Sequence, residues 1–137
     1  MTDSNIFRCG VLTLPKVHNR AGNITALNNS IDIPFDVHRV FYLYDIPGGE
    51  SRGGHAHKEL HQLIIAVSGS FDITVDDGQN RKTISLNRPY YGLHVMPGIW
   101  NELSNFSSGA ICLVLASNIY DENDYIRNYP DFISWKK

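Results

Sequence analysis

The sequence has little that would tie it to a disulfide scaffold, a membrane or a nucleic acid. Its two cysteines, Cys9 and Cys112, follow no paired spacing. The net charge of −2 gives no strong field that would attract nucleic acid or an anionic membrane. No apolar run reaches the roughly 18 residues of a transmembrane helix. The amino terminus lacks the basic and apolar regions of a signal peptide, so we expect a cytoplasmic protein.

Apolar residues make up 42% of the 137-residue chain, but they occur in short runs separated by turn residues. This pattern is typical of an all-β domain. The strand candidates are residues 38–44, 62–67, 70–75, 82–86, 92–95 and 111–116, with weaker candidates at 7–14 and 23–26. The tail, residues 121–135, is the one plausible helix, and Pro130 would interrupt it. We therefore predict a single domain, residues 1–137, with a double-sheet jelly roll and a short C-terminal helical segment.

Two histidines, His55 and His57, stand two residues apart in the segment Arg52–Lys58. On a β-strand this spacing directs both side chains to the same face. Imidazoles bind metals, and they also titrate near neutral pH, where proton transfer is efficient. The alternative is a pair of surface histidines on an exposed strand. The neighbouring Gly53 and Gly54 favour a functional site.

The spacing of these histidines resembles the motifs of the cupin superfamily, all-β proteins with a double-stranded β-helix (jelly-roll) fold. In metal-binding cupins, a glutamate follows the His-x-His pair, and a third histidine follows a Pro-Gly pair. Gln62 and Asn101 stand at these two positions here. Amides are poor ligands for divalent transition metals. We therefore predict no metal. The histidines would then act as acids and bases, which needs no other cofactor.

Four segments resemble a narrower family, the WxcM-like nucleotide-sugar 3,4-ketoisomerases. They are Arg39–Tyr42, Arg52–Lys58, Gly92–Trp100 and Leu115–Arg127. The resemblance implies an enzyme that converts dTDP-4-keto-6-deoxyglucose to a dTDP-3-keto-6-deoxyhexose, for the biosynthesis of 3-amino-3,6-dideoxyhexoses. A base would remove the C3 proton, an enediolate would form, and a proton would return at C4.

The same resemblance implies roles for three residues as acids or bases. His55 is the leading candidate for the base, and His57 would polarise the sugar oxygens or shuttle the second proton, although the two roles could be reversed. Tyr42 is a candidate acid or hydrogen-bond donor. If Phe41 faces the pocket instead, that role is vacant.

Three further residues are predicted to bind substrate. Arg52 is placed to hold a phosphate or a sugar oxygen in a bidentate manner, with a solvent-facing arginine as the alternative. Trp100 would stack on thymine or sugar, with a core tryptophan as the alternative. Asn101 replaces a residue that is typically His or Arg in the family and bears on the C4 epimer, so both the galacto and the gluco product stay open.

Several other readings stay open at this point. A metal-dependent cupin enzyme is disfavoured by Gln62 and Asn101. A dTDP-4-keto-sugar 3,5-epimerase-like cupin is the second candidate enzyme, and a non-catalytic sugar-nucleotide-binding cupin is the non-enzymatic alternative. The family resemblance also implies a homodimer, with an amino-terminal strand arm within about residues 1–30 exchanged between subunits.

Overall fold

The structure is a computed structural model that describes residues 4–137. These residues form twelve strands, two 3₁₀ turns at Ile6–Arg8 and Glu122–Asp124, and one α-helix, α1 (Tyr129–Lys136). The strands are β1 (Val11–Thr13), β2 (Val17–Asn19), β3 (Gly22–Ile24), β4 (Arg39–Leu43), β5 (Arg52–His57), β6 (Gln62–Ser68), β7 (Phe71–Asp76), β8 (Arg81–Leu86), β9 (Tyr91–Val95), β10 (Trp100–Ser104), β11 (Ile111–Ala116) and β12 (Tyr125–Ile126).

Ten of the twelve strands assemble into two five-stranded antiparallel sheets. The first sheet has the order β1-β9-β6-β11-β4, and the second has the order β12-β5-β10-β7-β8. The predicted all-β fold with a C-terminal helix is therefore confirmed. With the exception of β7 and β8, neighbouring strands in the two sheets are not consecutive in the chain. This order is expected when a chain crosses repeatedly between the two layers of a jelly roll.

The main core lies between the two sheets and is built by alternation along each strand. On β6, Ile64 and Ala66 belong to this core, whereas Leu63 and Ile65 belong to a second cluster on the outer face of the first sheet. Period-two alternation sends successive side chains to opposite faces. Strand β6 is apolar on both faces because both faces are covered.

The outer face of the second sheet is covered by α1. Phe132 of this helix is fully buried and packs in one cluster with Ala56 of β5, Trp100 of β10 and Ile126 of β12. The helix therefore packs against the face of β5 that is opposite to the two histidines.

The C-terminal segment differs from the prediction in its bounds. Residues 121–135 contain a 3₁₀ turn and strand β12 before the helix begins at Tyr129. Asn128 caps the helix by accepting a hydrogen bond from the backbone amide of Asp131 at 3.0 Å. Pro130 lies in the first turn of the helix, where backbone amides have no partner within the helix, so the missing amide hydrogen of proline costs no hydrogen bond. The prediction that Pro130 interrupts a helix is therefore wrong.

The hairpin of β2 and β3 stands apart from both five-stranded sheets. Among residues 4–137, its two strands pair only with each other, with Val17 opposite Ile24. All six of its strand residues are exposed. Within residues 4–137, no helix is long and apolar enough to cross a membrane.

Candidate active site

Strand β5 places both predicted histidines on the face that lies between the sheets. His55 is opposite Asn101 of β10, and His57 is opposite Tyr125 of β12. The intervening Ala56 points to the opposite face, against α1. The two imidazole rings meet edge to face, with centroids 5.0 Å apart. The predicted convergence of the two histidines is therefore present in the structure.

A cavity of about 530 Å³ opens beside His55. Its lining combines cationic, aromatic and amide side chains: Phe41, Arg52, His55, Asn101, Tyr125 and Arg127. Two of the three predicted substrate-binding residues, Arg52 and Asn101, therefore line the cavity. This mixture of an apolar floor and a few polar groups is typical of a small-molecule site.

His55 is held as a neutral imidazole. Burial lowers its pKa to about 4, and the neighbouring His57 and two arginines act in the same direction. The amide of Asn101 donates a long hydrogen bond, 3.4 Å, to the backbone carbonyl of His55. An imidazole that is neutral near pH 7 can accept a proton directly.

His57 lies deeper and has a carboxylate partner. Its side chain is 3% exposed, and its Nδ1 lies 3.0 Å from Oδ2 of Asp124. Burial lowers the pKa of His57, and the hydrogen bond and charge of Asp124 oppose that change. Its Nε2 is buried and has no hydrogen-bond partner within residues 4–137.

Tyr125 is the tyrosine that contacts both histidines. Its ring centroid lies 4.2 Å from that of His57 and 5.4 Å from that of His55. The guanidinium of Arg39 donates a hydrogen bond of 3.2 Å to the Tyr125 hydroxyl. Tyr125 and Arg39 were not among the predicted site residues, although both lie in the segments that carry the family resemblance.

Tyr42 does not face the cavity, so the predicted orientation is wrong. Its side chain is 59% exposed on the outer face of β4, and its ring lies beside that of Tyr44. Phe41 lines the cavity in its place. Adjacent residues of a strand point to opposite faces, so only one of this pair can reach the site.

Trp100 is also placed away from the cavity, and its predicted stacking on substrate is corrected. The side chain is 5% exposed and packs on the outer face of the second sheet against Tyr129 and Phe132 of α1. Its Nε1 donates to Glu102 at 3.0 Å. A Cβ atom on Gly54 would lie 2.5 Å from the indole, so this glycine is required for the tryptophan to pack behind β5.

The positions of the cupin metal ligands carry His55, His57, Gln62 and Asn101 in this chain. Gln62 is buried, and its Nε2 has no hydrogen-bond partner in the described part of the chain. Two imidazoles and two amides do not fit the donor preference of a divalent transition metal. Among residues 4–137, no group of three or more His, Cys, Asp or Glu side chains is arranged to hold a metal ion.

A second pair of histidines lies on the outer face of the first sheet and provides a test of acid stability. His61 and His94 stack with a Nδ1–Nε2 distance of 3.0 Å, beside Phe35. Burial lowers the pKa of His94 to about 4, below the value of roughly 6.5 in an unfolded chain. Between these pH values the unfolded chain binds more protons than the folded chain. The stability that neutral His94 contributes is therefore fully present above pH 6.5 and is lost as the pH falls toward 4.

We therefore expect the free energy of unfolding to decrease more steeply from pH 7 to pH 4 in the wild type than in His94→Asn. Urea denaturation at several pH values measures both slopes. Equal slopes would show that His94 does not contribute to acid sensitivity.

Over most of its length the chain is similar to known sugar 3,4-ketoisomerases. The chain is 42% identical over 122 residues to the TDP-4-oxo-6-deoxy-alpha-D-glucose-3,4-oxoisomerase of Aneurinibacillus thermoaerophilus, covering 89% of this chain and 88% of the relative. The structure of WlaRB, a TDP-quinovose 3,4-ketoisomerase from Campylobacter jejuni, superimposes with a TM-score of 0.88 at 45% identity, covering 92% of this chain and 97% of that one.

QdtA, a sugar 3,4-ketoisomerase from Thermoanaerobacterium thermosaccharolyticum, was solved in complex with TDP. It matches with a TM-score of 0.93 at 38% identity, covering 96% of each chain. A variant of QdtA was solved with TDP-4-keto-6-deoxyglucose. The RmlC epimerase of Mycobacterium tuberculosis, at 16% identity and a TM-score of 0.73, shares the cupin fold alone.

A family model described as "FdtA: WxcM-like, C-terminal" matches residues 8–137, nearly the whole chain. Together with relatives above 40% identity over most of both chains, this match shows that the chain belongs to the FdtA, WxcM-like family.

Proposed function

We propose that this chain is a sugar-nucleotide 3,4-ketoisomerase that converts dTDP-4-keto-6-deoxyglucose to a dTDP-3-keto-6-deoxyhexose. The observation that carries the proposal is the contact between two imidazoles, those of half-buried His55, which lines a cavity together with two arginines, and of buried His57. Membership of a family whose relatives are 3,4-ketoisomerases supports the same reaction and places this chain among the isomerases.

The reaction moves a carbonyl along the ring by proton transfer alone. A base removes the proton from C3, and the electrons form a C3–C4 double bond with the negative charge on O4. The hydroxyl proton then passes from O3 to O4, and C4 takes a proton as the carbonyl forms at C3. In total, C3 loses a proton and C4 gains one, and O3 loses a proton and O4 gains one. No external electron donor or acceptor is therefore needed.

The geometry supports a division of these steps among three side chains. Neutral His55, at the cavity wall, is the proposed base for C3. His57 is the proposed shuttle for the oxygen-bound proton. Tyr125, hydrogen-bonded to Arg39, is placed to donate to the enediolate, the role that the sequence suggested for Tyr42. Preorganised donors at a developing oxyanion are a major source of catalysis.

Cationic side chains are placed to hold the anionic part of the substrate. Arg52 and Arg127 both line the cavity. Arginine binds phosphate oxygens through paired hydrogen bonds. We propose that Arg52 contacts the diphosphate or a sugar oxygen, and that Asn101, opposite His55, lies near the hexose and affects which C4 epimer is released.

The test is incubation of the protein with dTDP-4-keto-6-deoxyglucose in D₂O, followed by ¹H NMR. A 3,4-ketoisomerase converts the 4-keto sugar to a 3-keto product with deuterium at C4. The same reaction in H₂O gives the H4 coupling, which distinguishes the galacto from the gluco product. Deuterium at C5 would instead indicate a 3,5-epimerase. Nucleotide-sugar binding without exchange at any ring carbon would indicate a binding protein.

We also propose that the protein acts in the cytoplasm as a homodimer that exchanges its β2–β3 hairpin. In support, Val17 and Ile24 of this hairpin are 62% and 61% exposed. The edge strand β4 and the residue after it present a second apolar surface, with Val40, Tyr42 and Tyr44 more than half exposed. Exposed apolar surfaces of this kind are typical of interfaces between subunits.

Replacing Val17 and Ile24 together by aspartate is expected to convert the dimer to a monomer, because two carboxylates would be buried in the interface. Light scattering after size-exclusion chromatography measures the mass. The matched control is Ile119→Asp, which changes an isoleucine outside the hairpin that is also more than half exposed. A wild-type protein that is monomeric at micromolar concentration would contradict the proposal.

A further inference from the structure

Asp124 is the last residue of the second 3₁₀ turn, and its side chain contacts His57. We propose that Asp124 is a positioning residue that fixes His57 as the tautomer protonated at Nδ1. The atom of His57 that exchanges a proton with the substrate is then Nε2. This inference rests on the proposed ketoisomerase reaction and names a residue that acts in it through His57.

Asp124 is held in place by three hydrogen bonds to the end of β5 and the residues after it. Its Oδ2 lies 3.0 Å from Nδ1 of His57, and its Oδ1 accepts from the backbone amide of Glu59 at 2.8 Å. Its own carbonyl accepts from the amide of Lys58 at 3.0 Å. The next residue, Tyr125, pairs with His57 in the sheet. The carboxylate therefore has one fixed orientation relative to the imidazole.

A carboxylate can only accept hydrogen bonds, so the shared proton belongs to Nδ1 of His57. In a neutral ring, the other nitrogen, Nε2, then carries the lone pair. This Nε2 is buried and has no partner within residues 4–137. A buried polar atom without a partner costs free energy. A bound sugar oxygen at this position would supply the missing partner.

The two histidines are consequently unequal. Within the described residues, His55 has no carboxylate partner, whereas His57 has Asp124. When Nε2 takes a proton, the imidazolium is paired with the carboxylate, and the proton is returned in the same turnover. This suits His57 for the proton that moves between O3 and O4, and it leaves the carbon-bound proton to His55.

The substitution Asp124→Asn tests the tautomer directly. The amide of Glu59 keeps the asparagine oxygen as its acceptor, so the asparagine NH₂ group faces His57. Nδ1 must then accept a hydrogen bond, and the ring proton moves to Nε2. We expect kcat to fall on the order of 10²-fold, as for loss of one proton-transfer group, with KM nearly unchanged. The control is Asp121→Asn in the same turn. The asparagine oxygen can still accept the capping hydrogen bond from the backbone amide of Asn123.

Long-range ¹H–¹⁵N NMR of histidine-labelled protein reads the tautomer of His57. Protonated Nδ1 in the wild type, with an inverted tautomer and lowered kcat in Asp124→Asn, supports the proposal. Protonated Nε2 in the wild type overturns it, whether or not the variant folds. An unchanged tautomer, or a kcat equal to that of Asp121→Asn, also overturns it. A wild-type protein that does not convert the keto sugar would refute the proposed function, and the tautomer measurement would remain valid on its own.

Discussion

Replacing His55 by asparagine is expected to lower kcat on the order of 10³-fold, the effect of removing a well-placed general base. Asparagine keeps a polar side chain at the cavity wall but has no nitrogen that can accept a proton. The fold and the affinity for TDP should be retained, because the cationic side chains of the cavity are unchanged. Steady-state turnover of dTDP-4-keto-6-deoxyglucose and calorimetric binding of TDP measure the two effects separately.

The matched control for this experiment is His38→Asn, which changes an exposed histidine that does not line the cavity. Its kcat should equal that of the wild type. A His55→Asn enzyme with nearly full turnover would remove His55 from the reaction. The base would then have to be sought at His57.

Truncating Phe132 to alanine is expected to destabilise the fold by about 3–5 kcal/mol. The ring is fully buried between α1 and the second sheet, with centroids 5.8 Å from Trp100 and 5.9 Å from Tyr129. Its loss leaves a cavity directly behind Ala56, the residue between the two histidines. The free energy of unfolding in urea gives the magnitude.

Phe7→Ala serves as the control for this prediction, because Phe7 is largely exposed. A surface truncation of this kind changes stability by no more than about 0.5 kcal/mol. Similar losses in the two variants would mean that α1 does not stabilise the second sheet.

Several strands were predictable because their apolar runs end at turn residues, whereas β10 (Trp100–Ser104) was not among the strand candidates. Strand β11 occupies the predicted residues, Ile111–Ala116, and β6 differs from the prediction by one residue. The short strand β12 was not predicted, because Tyr125–Ile126 has no sequence pattern of its own. It exists because it pairs with β5, more than sixty residues away in the chain.

The orientation of β4 could not be read from its residues. The run Val40-Phe41-Tyr42-Leu43 is apolar on both faces, so hydrophobic alternation does not identify the inner face. In the structure, pairing with β11 aligns Phe41 with Val114 of the core and Tyr42 with Leu113. That register turns Phe41 inward and Tyr42 outward.

The position of Trp100 was a matter of packing between distant elements. The sequence places this residue two positions after the Pro-Gly pair of the second cupin motif and next to Asn101, which does line the cavity. Only the docking of α1 on the outer face of the second sheet decides that the indole packs away from substrate.

The sequence by itself determined the fold class, the family and the two histidines, because strand periodicity and motif spacing are local properties of the chain. The tertiary structure alone decided which tyrosine reaches the histidines and that a carboxylate orients His57. Those contacts join β5 to residues near the C terminus, and they arise from strand pairing and helix packing over long separations that no local pattern encodes.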